Sequence, residues 1–182
     1  MVQFKYLLIA LTLMSCSSAV KKPTTPTTEI SQPTIEVVEQ KKVFSFKSSL
    51  SWVEKATDCA NIVINDKDFQ DEAVAKTSFD YSEDDGEKVL NKLLSHHCVA
   101  RTYKTKNPWS KAVATTYRSN TEDVYFNRRK KRSIFAWVGT SCHECLHNVG
   151  YSHGDNSSVG KENSVNYWYG SLCTTHAKRL CK

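Results

Sequence analysis

The reading of this chain turns on one stretch, Ser141-Cys142-His143-Glu144-Cys145-Leu146-His147-Asn148-Val149-Gly150-Tyr151-Ser152-His153-Gly154-Asp155. His143 and His147 are four residues apart, so on a helix they stand on one face about a turn from each other and both imidazoles reach one metal ion. Glu144, next to the first of them, is placed to face a metal-activated water and take its proton. Gly150 is where such a helix must stop, because a residue tolerant of positive φ turns the chain sharply enough to return His153 as a third ligand. Three neutral imidazoles and one open position describe a catalytic zinc, one per chain, rather than a closed structural one. In a chain with six histidines and six glycines, chance placement of all five residues at these offsets has a probability on the order of 10⁻⁵.

The elements around this stretch follow from periodicity. Ser51 to Ala60 and Lys67 to Ala75 read as helices, and Thr77 to Tyr81 alternates like a short strand. Asp84, Asp85 and Glu87 open a run in which Val89, Leu90, Leu93 and Leu94 form one apolar stripe, the clearest amphipathic helix of the chain. Cys98 to Tyr103 and Lys111 to Tyr117 read as strands, and a turn at Ser119 to Thr121 pairs the second with a strand over Glu122 to Asn127. After the basic run Arg128 to Arg132 comes a helix over Ser133 to Val149, capped by Ser133 and ended by Gly150. A short last helix is expected over Thr174 to Leu180.

His143-Glu144-x-x-His147-x-x-Gly150-x-x-His153 resembles the HExxHxxGxxH signature of the metzincin clan of zinc metallopeptidases. The match is dense but local, covering the active-site helix and ligand turn. The resemblance implies a small α+β peptidase domain with a mixed sheet, a backing helix and an active-site helix. It implies His143, His147 and His153 as zinc ligands and Glu144 as general base. It also implies that Val124 to Asn127 is the edge strand that holds an extended protein or peptide substrate by strand addition. One departure stands out: the clan is named for a methionine beneath the metal, whereas the methionines here are Met1 and Met14. Ser164-Val165-Asn166-Tyr167-Trp168-Tyr169 resembles the clan's Ser-Ile-Met-x-Tyr turn, with Asn166 in the methionine's place. Tyr167 or Tyr169 is then a candidate phenol for stabilising an oxyanion, with core packing as the alternative. Asp155 and Asn156 are candidates to orient His153 through its second nitrogen, or else turn residues. Lys161 and Glu162 read as solvated.

Working outward to the amino terminus, Lys5 and the apolar stretch Tyr6 to Met14 form a processing signal, too short to span a bilayer. Leu13-Met14-Ser15-Cys16 resembles the lipobox of bacterial lipoproteins, which implies residues 1–15 as a signal and Cys16 as a lipidated, membrane-anchored terminus, in the outer membrane where one exists. Pro23, Pro26 and Pro33 lie in a Thr-rich stretch that buries too little apolar surface to fold, so residues 16–42 read as a tether and 43–182 as the catalytic domain. Setting Cys16 aside leaves Cys59, Cys98, Cys142, Cys145, Cys173 and Cys181. An even number suits disulfides in an oxidising compartment. Sequence does not choose the pairing, although Cys173 and Cys181 suggest a short closed loop, and Cys142-x-x-Cys145 is the half-motif of a competing zinc site.

Composition bounds the rest. The 182 residues, with 10% aromatics and a mean hydropathy of -0.49, exclude a fully disordered chain and a helical membrane protein. A net charge of +6 is too small to name a nucleic-acid partner, and none is expected. Arg128 to Arg132 reads as a solvated loop, a contact for anionic headgroups or other polyanions, or a processing site. The expectation is thus a lipid-tethered zinc peptidase of the bacterial cell envelope. Two alternatives stay open: a non-catalytic zinc-binding envelope lipoprotein, and a disulfide-stapled lipoprotein without metal.

Overall fold

The computed structural model describes residues 40–107, 109–117, 120–153 and 161–182. They all belong to the unit Val38–Lys182. The signal, Cys16 and Asp155 lie outside the described residues. In chain order the elements are β1 (Phe44–Phe46), α1 (Ser51–Ile64), α2 (Lys67–Val74), α3 (Gly86–Ser95), β2 (Cys98–Tyr103), β3 (Ala114–Tyr117), β4 (Asn120–Asn127), α4 (Ile134–Asn148) and α5 (Val165–Leu180). The protein is α+β. Its sheet is mixed, in the order β1-β2-β4-β3, with β1, β2 and β4 parallel and β3 antiparallel to β4.

Local chemistry accounts for the helices. α1 buries Val53, Ala56, Thr57, Ala60, Val63 and Ile64, an i, i+3, i+4, i+7 stripe. Asp66 and Asp85 cap α2 and α3 by accepting from Phe69 N (3.1 Å) and Lys88 N (2.9 Å). Ser133 does the same for α4, accepting from Ala136 N. Gly150 ends that helix with φ of 103°, in the region expected of it.

The core centres on α4. Trp137 stacks on Trp52 of α1, with centroids 4.6 Å apart, and lies 5.1 Å from Phe126 of β4, so one aromatic cluster ties α4 to both α1 and the sheet. On its other side α4 packs on α5 at Gly139 and Gly170. A Cβ on Gly139 would fall 2.4 Å from the Gly170 carbonyl oxygen, so only a glycine there lets the helices approach this closely.

Several expectations are corrected. Val124–Asn127 lies in β4, which is interior, bonded to β2 on one side and β3 on the other; the edge strands are β1 and β3. Thr77 to Tyr81 makes only isolated bridges, Phe79 with Ser82 and Asp80 with Ser164, because no neighbouring strand lies beside it and Tyr81 turns the chain at φ 63°. The last helix begins at Val165, not Thr174, since Val165, Tyr169, Leu172, Cys173 and His176 bury one continuous face. The segment expected to form a turn under the metal is therefore the first turns of a helix. The disulfides are Cys59–Cys181, Cys98–Cys145 and Cys142–Cys173, not Cys173–Cys181. Cys173 and Cys181 are eight residues apart along α5 and its cap, about 12 Å at 1.5 Å per residue, beyond the reach of a disulfide. Lys161, read as solvated, is buried.

Candidate metal centre

α4 delivers His143, Glu144 and His147 to the floor of a cleft of about 1530 Å³, and the turn at Gly150 brings His153 back over them. The ligand-capable nitrogens of the three histidines lie within 4.8 Å of one another. Nε2 of His147 and Nε2 of His153 are 3.2 Å apart, close to the ~3.4 Å that two tetrahedral positions on 2.0–2.1 Å bonds require. His147 Nδ1 donates to the Tyr151 carbonyl oxygen at 2.8 Å. A carbonyl only accepts, so Nδ1 carries the proton and Nε2 presents its lone pair. His143, His147 and His153 can hold a metal ion, and the all-imidazole donor set suits a first-row divalent cation.

Burial sets the protonation states. Desolvation pushes the His143 imidazole down to about 3, helped by its histidine neighbours and opposed by a hydrogen bond to the Asn166 backbone. His147 and His153 are lowered as well, chiefly by burial. All three are therefore neutral at pH 7, the form that binds metal. Glu144 is 9% exposed, and burial raises its carboxyl to about 7. Among the described residues no side chain donates to it or pairs with it.

α5 supplies the floor. Asn166 is fully buried, and its Nδ2 donates to the His143 carbonyl oxygen at 3.0 Å, while its Oδ1 has no hydrogen-bond partner among the described residues. The Tyr167 ring lies 4.7 Å from the His143 ring and 4.8 Å from that of His153. Tyr167 lines the cleft. Tyr169, the other candidate phenol, is fully buried and donates to the Gly86 carbonyl oxygen at 2.8 Å. Of the two, only Tyr167 sits among the histidines. His153 Nδ1 is buried without a partner among the described residues, and Asp155 and Asn156, proposed to serve it, lie outside them. His176 is drawn to α2, 3.1 Å from Glu72 Oε2. The cysteines of the competing Cys142-x-x-Cys145 site are each spent on a different disulfide.

Two supports escaped sequence reasoning. The Tyr151 hydroxyl donates to Asp84 Oδ2 at 2.8 Å, and Asp84 also receives Lys92 Nζ at 2.6 Å. The carbonyl that orients His147 thus belongs to a residue anchored to α3. Arg132 and Thr140 also line the cleft. Neither arrangement has a periodic signature, because the partners of Tyr151 lie 67 and 59 positions earlier in the chain.

These features define a half-buried three-histidine centre beside a buried carboxylate that has no partner among the described residues. Comparison with protein-family models, curated proteins and solved structures found no match.

Proposed function

We propose that this protein is a zinc-dependent peptidase of metzincin type, acting in the cell envelope from a lipid anchor at Cys16. The observation that carries the reading is the convergence of three neutral imidazoles beside Glu144, a buried carboxylate that serves no structural contact among the described residues. Burying a carboxylate without a partner is costly, and neither a structural nor a scavenging zinc site has a use for it. A zinc ion held by His143, His147 and His153 would supply a Lewis acid that acidifies water and polarises a carbonyl.

The chain's own groups do the remaining work. Glu144 removes the proton of the attacking water and returns it to the leaving amine. Tyr167, edge-on to the His143 ring and tilted to that of His153, would donate its hydroxyl to the oxygen that becomes negative during attack. β3 is the edge of the sheet on the cleft side, where Ala114 to Tyr117 line the cleft. Its outward backbone groups suit an extended peptide added as a further strand, the role first assigned to Val124–Asn127. Among the described residues no helix is long and apolar enough to cross a membrane, and the proposed attachment is the acyl anchor alone.

The test joins metal content to turnover. Elemental mass spectrometry of the oxidised protein should find about one zinc per chain, lost in His147→Ala. Glu144→Gln should keep the zinc and lose about 10²-fold or more of peptide hydrolysis. Zinc bound with no hydrolysis of unfolded proteins or cell-wall peptides would favour the non-catalytic zinc protein, and no zinc at all would sink both.

A further inference from the structure

The cleft carries cations as well as the histidines, and Asn127 Nδ2, donating to the Ala112 carbonyl oxygen at 3.0 Å, brings the segment of Lys111 beside the start of the Arg128 to Arg132 run. Lys111 and Arg132 line the cleft, and the one carboxylate among its described lining residues is Glu144. Arg132 Nη1 donates to Thr140 Oγ1 at 2.7 Å, and the Thr140 hydroxyl donates to the Ala136 carbonyl oxygen at 2.8 Å. This pair pins a guanidinium against the cleft face of α4. Thr140 and Glu144 are four residues apart, so the pinned group stands about one helical turn, ~5.4 Å, before the carboxylate along the helix axis.

Arg132 spends one of its five donors on Thr140. Neither it nor Lys111 forms an ion pair with a carboxylate among the described residues. The flanking sequence is one-sided in charge: residues 104–117 and 128–133 contain Lys104, Lys106, Lys111, Arg128, Arg129, Lys130, Lys131 and Arg132 but no Asp or Glu. A cation held at a cleft wall by a single hydroxyl, with no carboxylate paired to it among the described residues and basic residues before it in the chain, suits a planar anion, and guanidinium matches carboxylate bidentately.

Resting on the peptidase reading, we infer that this end of the cleft is a specificity subsite for a carboxylate of the substrate, seated on Arg132 with Lys111 beside it. An extended peptide advances about 3.3 Å per residue, so the recognised group lies within about three residues of the scissile bond. Two sources share this chemistry, an acidic side chain and a free peptide C-terminus. The surrounding basic segments raise the local concentration of such substrates, an effect that salt weakens.

The experiment uses the full chain loaded with zinc and three peptides of one length and sequence. One carries internal Gln and an amidated terminus, the second internal Glu and an amidated terminus, the third internal Gln and a free carboxylate. Cleavage is followed with the wild type, and binding by fluorescence anisotropy to Glu144→Gln. The expected result is at least tenfold tighter binding and lower KM for one carboxylate-bearing peptide, which also says which source the subsite takes. Arg132→Gln should cut that preference to about threefold or less while zinc stays near one per chain, and Arg132→Lys should restore part of it. Equal handling of all three peptides by an active wild type overturns the subsite alone. Zinc-loaded wild type that neither binds nor cleaves any of them overturns the peptidase reading together with it. If Arg132→Gln weakens attachment to phosphatidylglycerol vesicles but leaves the peptide preference intact, the basic end is a membrane contact and the subsite falls.

Discussion

At the scale of single residues, the site depends on groups whose neighbours decide their chemistry. Glu144 is kept near neutrality in proton affinity by burial, and His147 is aimed by the Tyr151 carbonyl. Tyr167 differs from Tyr169 only in which side of α5 it occupies: one faces the imidazoles and the other is sealed against Phe69 and Phe79. Tyr167→Phe removes a hydroxyl and no apolar contact, so it should leave zinc content and Tm unchanged and lower kcat by about 10²-fold, the usual loss on removing one oxyanion donor. An unchanged kcat would return Tyr167 to a packing role. The ligand spacing was legible because HExxH obeys helical geometry, whereas the separation of Tyr167 from Tyr169 needed the phase of α5, which no local pattern supplies.

At the scale of elements, α4 is held on both sides of its first ligand. Cys142 is joined to Cys173 on α5 and Cys145 to Cys98 on β2, so His143 and Glu144 sit between two covalent attachments to different elements. Replacing Cys98 and Cys145 together by Ala removes a crosslink across 47 positions and should cost about 2–4 kcal/mol of stability. It should also weaken zinc binding, because α4 is then free to shift against the sheet; equilibrium dialysis against a zinc indicator reads the change, and unaltered affinity would mean that packing alone positions the ligands. The contact of α4 with α5 makes a second demand. In Gly139→Ala the new methyl meets the Gly170 carbonyl, which cannot move aside as a side chain can. Overpacking of this kind costs about 1–3 kcal/mol, more than the gain of ~1 kcal/mol in helix propensity, so the Tm should fall by several degrees in differential scanning calorimetry.

For the whole molecule, pH reports how distant elements are tied. Asp84 is held below the usual 3.8 by hydrogen bonds from Lys92 and Tyr151. At Asp123, burial alone would push the carboxyl up, but hydrogen bonds from Arg101 and Tyr125 outweigh it and the net shift is downward. Both carboxylates bind protons more weakly folded than unfolded, so their stabilisation is complete above about pH 4 and is lost as pH falls through the folded values. Urea unfolding of the zinc-free protein should thus show a limb from these two carboxylates below about pH 4. It adds to a loss that sets in below about pH 6.5, where the unfolded chain protonates His143, His147 and His153 before the folded one does, partly offset by the raised Glu144. Asp123→Asn should be less stable at pH 7 and decline less steeply; an identical acid limb in the variant would assign the decline to other groups.

The chain's local patterns by themselves determined the first four helices, the cap at Ser133, the turn at Gly150 and the spacing of the three histidines, because each depends on residues within a few positions of one another. The α+β class and the hairpin of β3 with β4 were within reach for the same reason. Tertiary structure alone decided that β3 rather than β4 is the edge, since that follows from where β2 docks. It alone decided the pairing of six cysteines, the burial of Lys161 and the position of Arg132 on Thr140. Those outcomes are set by which surfaces meet when elements far apart in the chain exclude water together, and that information is spread over the whole sequence rather than written at any one position.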